Sequence, residues 1–130
     1  MSEAKILVWS AILTFVMLLV ASALRAQVWT PAGMVIAFGN RDNLPPETPL
    51  AGRAHRAAIN MIEAMVIFTA IFVAVHFAGK TSAQTQLGAT LFFWARVAYW
   101  PCYLAGIAYL RTAVWGVGVI GLAMMAAAVL

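Results

Sequence analysis

The chain has 130 residues, enough for one domain, and 65% of them are hydrophobic whereas only 9% are charged. Soluble domains carry roughly 25% charged residues, so this composition excludes a water-soluble globular protein and indicates a lipid environment. The net charge of +4 comes from separate basic residues rather than a basic run, which argues against nucleic-acid binding. The single cysteine, Cys102, excludes an internal disulfide, and no spacing typical of a metal site occurs.

The first predicted element is a transmembrane helix over residues 6–24, which carry no charge between Lys5 and Arg25. A helix of that length spans about 28 Å, close to the thickness of the hydrocarbon core of a bilayer. The alternative is a signal peptide, because residues 21–23 (Ala-Ser-Ala) resemble a cleavage site. The apolar stretch is longer and its amino-terminal flank less basic than a signal peptide needs, so the helix is favoured.

A long connection follows, over residues 25–52. Its first part, residues 28–38, is apolar but interrupted by Pro31 and Gly33, so it either extends the first helix with a kink or lies at the membrane interface. Residues 39–52 contain three prolines, which predict a loop without helix.

Three further transmembrane helices are predicted at about residues 54–78, 85–110 and 112–130, which gives an all-α integral membrane protein with four spans in one domain. Most basic residues fall in the first loop, at the start of the second helix and at the junction of the last two: Arg25, Arg41, Arg53, Arg56 and Arg111. The opposite side has Lys5, Lys80 and the amino terminus. The positive-inside rule therefore places the first loop in the cytoplasm.

The second helix carries a polar stripe made of Arg53, Arg56, Asn60 and Glu63, spaced 3, 4 and 3 residues apart. This spacing puts the four side chains on one face of a helix. Ionisable groups at membrane depth are costly, and they indicate a functional site by default. The alternative is structural, with Arg56 and Glu63 clamping helices together. His55 falls off this stripe and is interpreted as an interface residue.

The third helix repeats the pattern with Arg96, Tyr99, Tyr103 and Gly106, and Arg111 follows at the cytoplasmic end. Arg96 lies deep enough to need a partner, and Glu63 is the obvious one by charge. Arg96 is thus either half of a structural ion pair or a ligand contact. The two tyrosines are either part of the site or packing aromatics.

Together the two stripes predict a site for a small polar anion that carries one amine. Four arginines (Arg53, Arg56, Arg96 and Arg111) suit carboxylates, and Glu63 suits an amine. No side chain qualifies as a nucleophile in its own right, so any chemistry requires a nucleophile brought by the ligand. Four helices cannot easily shield both stripes from lipid, so we expect a closed homo-oligomer with the site between subunits.

These residues resemble the MAPEG family, the membrane-associated proteins in eicosanoid and glutathione metabolism. The resemblance rests on Arg53-x-x-Arg56-x-x-x-Asn60-x-x-Glu63 in the second helix, on Arg96-x-x-Tyr99-x-x-x-Tyr103 in the third, and on Arg111 after it. The loop of residues 39–46 is similar to that of bacterial members, and four helices in 130 residues match the whole length.

The resemblance implies a homotrimer in a bacterial inner membrane that binds glutathione as co-substrate between subunits, near the cytosolic side. The ligand's carboxylates and amine would be held by one stripe, Arg53, Arg56, Asn60 and Glu63. Arg96, Tyr99 and Tyr103 would contribute from the adjacent helix, and Arg111 matches the arginine that stabilises the glutathione thiolate in catalytic relatives. The second substrate would be a lipophilic electrophile or hydroperoxide arriving through the bilayer.

Two other functions fit the same sequence. Some family members bind lipid and support other enzymes without catalysis of their own, so a non-catalytic lipid-binding or scaffold protein is one alternative. A small transport subunit that uses Glu63 and Arg96 as a relay is another. Ala64 stands where some eicosanoid-synthesising members carry a tyrosine, which is one departure from the family pattern.

Overall fold

The computed structural model describes residues 1–130 and contains five helices and no strand. The helices are α1 (Glu3–Ala26), α2 (Pro31–Phe38), α3 (Pro49–Phe77), α4 (Ala83–Leu104) and α5 (Ala108–Ala127). Three of them, α1, α3 and α5, are long and apolar enough to cross a membrane. The fourth long helix, α4, is less apolar, so the four-span arrangement stays a prediction.

The helix starts are fixed by short polar side chains that precede them. Ser2, Thr30, Thr48 and Ser82 each accept a hydrogen bond from a backbone N–H in the first turn of α1, α2, α3 and α4, respectively. Pro31 and Pro49 then occupy the first turn, where a missing N–H costs nothing. The prediction that all three loop prolines exclude helix was therefore wrong for Pro49, which begins α3 about five residues early. Residues 31–38 form a separate short helix.

The third predicted helix ends six residues early, at Leu104, because Gly106 adopts a φ of 75° that few other residues tolerate. The Gly106 N–H donates to the carbonyl of Tyr103, and the Ile107 N–H donates to that of Cys102, both at 3.0 Å. This is a Schellman ending. Gly106 is thus a turn residue rather than part of the stripe, and Arg111 lies in the first turn of α5.

The helices pack most closely in two pairs, α4 with α5 and α1 with α3, and α3 also contacts α4. One core cluster joins the four long helices through Ile6, Phe68, Phe92 and Met125. A second cluster, between α1 and α3, is built from small residues around Met17 and Met61. This packing leaves one face of α3 open beside the turn between α4 and α5, where most of the candidate site residues lie.

Far from that turn, a buried carboxylate ties three helices together. Glu3 in α1 is only 6% exposed, and it accepts a 2.6 Å hydrogen bond from the Thr85 hydroxyl of α4. Its other oxygen lies 3.5 Å from Nε2 of His76 in α3. Glu3 therefore has a structural contact that the sequence pattern did not reveal.

Close packing of α4 against α5 depends on glycine at one crossing point. A Cβ added to Gly121 would clash with the backbone carbonyl of Gly88, whereas a Cβ on Gly116 would meet nothing within 4 Å. We expect Gly121→Ala to destabilise the protein by about 1–3 kcal/mol, since overpacking forces the helices apart. Gly116→Ala should be neutral or mildly stabilising because alanine is the better helix former. Thermal unfolding in detergent compares the two, and equal midpoints would contradict the prediction.

Candidate anion-binding site

A cleft of about 550 Å³ opens between α3, α4 and α5. It brings together six of the eight residues that the sequence singled out: Arg56, Asn60, Glu63, Tyr99, Tyr103 and Arg111. The remaining two, Arg53 and Arg96, do not line it. The cleft also has four residues outside the predicted set, namely His55, Ile59, Thr112 and Trp115.

The α3 wall of the cleft carries two charges of opposite sign. Arg56 and Glu63 are both exposed in the single protomer, and Asn60 between them is half-buried. The ion pairs of the structure join Arg25 to Glu47 and His76 to Glu3, so neither Arg56 nor Glu63 forms an ion pair with a protein side chain. Within the protomer, neither residue therefore clamps α3 to another helix through an ion pair, and both charges are available to a ligand.

Arg96 lies behind this wall, and its partner is Asn60. Arg96 is 2% exposed, and its Nη2 donates a 2.8 Å hydrogen bond to Oδ1 of Asn60. Its Nε lies 3.2 Å from Sδ of Met61, and its guanidinium stacks 4.1 Å from the ring centroid of Tyr99. The predicted Arg96–Glu63 ion pair was wrong, because the side chain of Arg96 is met by Asn60, one turn before Glu63.

This hydrogen bond determines what Asn60 offers to a ligand. A guanidinium only donates, so the amide oxygen of Asn60 must face Arg96. The amide nitrogen is then left to face the cleft as a donor. Asn60 therefore suits a carboxylate or carbonyl oxygen of a ligand. Arg96 affects the cleft indirectly, because its hydrogen bond orients the amide group of Asn60.

The opposite wall comes from α4 and the first turn of α5. The rings of Tyr99 and Tyr103 meet edge to face, with centroids 5.5 Å apart. The Arg111 guanidinium lies 4.7 Å from the centroid of Tyr103, in a cation–π contact that holds it on the cleft wall. Its N–H groups remain free to donate to an anion.

Arg53 is placed differently from its neighbours on the stripe. Its Nε donates a 2.9 Å hydrogen bond to the backbone carbonyl of Leu104, the last residue of α4. The side chain thus reaches across to the α4–α5 turn instead of lining the cleft. Its predicted contact with a ligand stays a prediction.

A family model described as the MAPEG family matches residues 6–130, nearly the whole chain. The chain belongs to the MAPEG family. It is accordingly a membrane protein of glutathione and eicosanoid metabolism, and its apolar helices agree with that placement. Searches of curated proteins and of solved structures found no similar chain.

Sequence reasoning missed the apolar part of the MAPEG cleft. Trp115 and Ile59 line it, and both are partly exposed, at 46% and 40%. A signal was present, because Trp115 follows Arg111 by four residues and so shares its helix face. His55, interpreted as an interface residue, lies on the cleft wall instead.

Proposed function

We propose that this protein binds glutathione in the cleft and uses it to conjugate lipophilic electrophiles or reduce lipophilic hydroperoxides. The observation that supports the proposal is the convergence of two unpaired cations and one unpaired carboxylate in a cleft with an apolar wall: Arg56, Arg111 and Glu63 beside Trp115. Cations and a carboxylate in one cleft match a ligand that carries carboxylate groups as well as an amine.

The charge pattern of the cleft fits that of glutathione, which has two carboxylates, one amine and one thiol. Arg56 and the amide nitrogen of Asn60 are the donors for the carboxylates, and Glu63 is the acceptor for the amine. The cleft volume of about 550 Å³ falls in the range of ligand pockets, roughly 300–1,000 Å³. Tyr99 and Tyr103 supply phenol groups on the opposite wall.

Arg111 is the residue to which we assign the chemical step. A guanidinium beside a thiol lowers its pKa and stabilises the thiolate, which is the nucleophile. In conjugation the thiolate sulfur forms a bond to carbon as the leaving group departs or a ring opens. In peroxide reduction the thiolate attacks the terminal oxygen of the hydroperoxide, the O–O bond breaks, and the alkoxide leaves and takes up a proton to become the alcohol. A second glutathione then reduces the sulfenic acid, which yields glutathione disulfide and water. Trp115 and Ile59 form the apolar surface for the lipophilic partner.

A homotrimer would complete the site. Arg56 and Glu63 are exposed in the single protomer although α3 is apolar enough to span a membrane. Charged groups facing lipid are costly, so a neighbouring subunit covering this face would lower the free energy of the assembly. The basic end of the bundle, which contains the cleft, would face the cytoplasm of a bacterium, where glutathione is present.

Glutathione titration of the purified protein tests the proposal. We expect glutathione or S-methylglutathione to raise the unfolding midpoint. A hundredfold excess of ligand over the dissociation constant should increase the free energy of unfolding by about 2.7 kcal/mol. Glu63→Gln should lose most of this protection because the ammonium group of the ligand no longer faces a negative charge, although the neutral amide oxygen of glutamine can still accept a hydrogen bond. Asp42→Asn is the matched control, since Asp42 is an exposed loop carboxylate outside the cleft.

Two outcomes would reject the proposal. If the unfolding midpoint does not change with glutathione but rises with lipid, a lipid-binding scaffold is favoured. Protection that persists in Glu63→Gln would place any glutathione site elsewhere.

A further inference from the structure

Arg53 bridges two helices at the point where the chain turns towards Arg111. Its Nε donates to the Leu104 carbonyl at 2.9 Å, and its guanidinium carbon lies 3.9 Å from the position of a Cβ on Gly106. The side chain therefore covers the α4–α5 turn from the α3 side. A guanidinium at the carboxyl end of a helix also satisfies a carbonyl that has no partner within the helix.

Apart from the backbone hydrogen bonds of the Schellman ending, the turn that Arg53 covers has no side-chain cap. α5 is the one helix of the five without a side-chain cap at its start, and residues 105–107 before it are exposed. Arg111 lies in the first turn of α5, where its backbone N–H donates to the Ile107 carbonyl at 3.1 Å. The direction of the Arg111 side chain thus depends on where this turn lies.

We propose that Arg53 is a positioning residue that holds the α4–α5 turn so that Arg111 reaches the cleft. Tyr103 stands just before Leu104 and carries the cation–π contact with Arg111, so one hydrogen bond from α3 fixes both flanks of the turn. The proposed effect of Arg53 on turnover rests on the function proposed for Arg111. The proposal that Arg53 holds the turn in place does not depend on that function.

The variants follow from the hydrogen bond. Arg53→Met keeps an unbranched apolar stem but removes every donor, whereas Arg53→Lys keeps the charge and one donor group and should rescue in part. Arg41→Met is the matched control, because Arg41 also donates to a distant backbone carbonyl, that of Ser22, and does not contact the turn.

The first measurement needs no glutathione. In the full-length protein, we expect hydrogen exchange of the backbone amides of residues 106–112 to be about tenfold faster in Arg53→Met than in the wild type. Arg53→Lys should fall between, and Arg41→Met should match the wild type in this segment. Unchanged exchange in Arg53→Met would overturn the proposal.

The second measurement links the turn to Arg111. With glutathione, Arg53→Met should lower kcat about tenfold and leave KM for glutathione within about twofold, and it should cause no further loss in an Arg111→Ala background. A raised KM with constant kcat would make Arg53 a ligand contact, and additive losses would separate it from Arg111; either result overturns the proposal. If the wild type shows no glutathione-dependent turnover, the proposed function fails, while the exchange comparison still decides whether Arg53 holds the turn.

Discussion

Arg111→Ala is expected to reduce glutathione-dependent turnover by about 10²–10³-fold, the usual loss when one donor to a developing or stabilised anion is removed. The guanidinium lies on the cleft wall over Tyr103 with its N–H groups free of protein acceptors. Without it, the thiol of bound glutathione keeps its ordinary pKa and is mostly protonated at neutral pH. Turnover and the ultraviolet absorbance of the thiolate should fall together.

Binding of glutathione should survive this change, because Arg56, Asn60 and Glu63 lie on the other wall. Thermal protection by glutathione is therefore the internal control for Arg111→Ala. Arg111→Lys should retain part of the activity, since it keeps the charge but not the planar fork. Lys80→Ala, which removes a cation outside the cleft, should match the wild type. A full thiolate signal in Arg111→Ala would show that another group stabilises the anion.

Asn60→Leu is expected to cause the largest loss of stability, about 3 kcal/mol, because it leaves a buried guanidinium without its oxygen acceptor. Arg96 is 2% exposed, and after this change only the Met61 sulfur and the Tyr99 ring remain beside it. The double variant Asn60→Leu, Arg96→Met removes both partners and should regain most of the loss, since no buried polar group is then left unpaired.

Unfolding midpoints of the two single variants and the double variant measure this coupling. The double variant should still lack glutathione protection, because the donor that Asn60 presents to the cleft is gone. Glu63→Gln is the contrasting control: Glu63 is exposed and unpaired, so its ligand-free stability should change by less than about 0.5 kcal/mol. If the double variant is as unstable as Asn60→Leu alone, the unpaired guanidinium of Arg96 is not the cause of the lost stability.

Helical periodicity accounts for most of the candidate site. Residues spaced 3 and 4 apart must share a face, and Arg56, Asn60 and Glu63 do so on α3, as do Tyr99 and Tyr103 on α4. Periodicity gave a wrong prediction at the end of the third predicted helix, because α4 ends at Leu104. Gly106 fits the spacing of the second stripe, yet its φ of 75° ends the helix regularity there and places Arg111 on α5. The spacing of charges also could not reveal the buried contact of Glu3 with Thr85, because these residues are far apart in the chain.

The sequence by itself determined the apolar helices of a membrane protein and the polar side chains that share each helix face, because these follow from composition and from 3.6 residues per turn. Gly106, which was predicted on the second face, was the exception. Only the tertiary structure decided that Arg96 bonds to Asn60 rather than Glu63, and that Arg53 reaches the end of α4 instead of the cleft. The reason is geometric. Periodicity gives the direction of a side chain around its own helix, whereas its partner depends on how neighbouring helices are offset along their axes and on where a long arginine side chain finds the nearest acceptor.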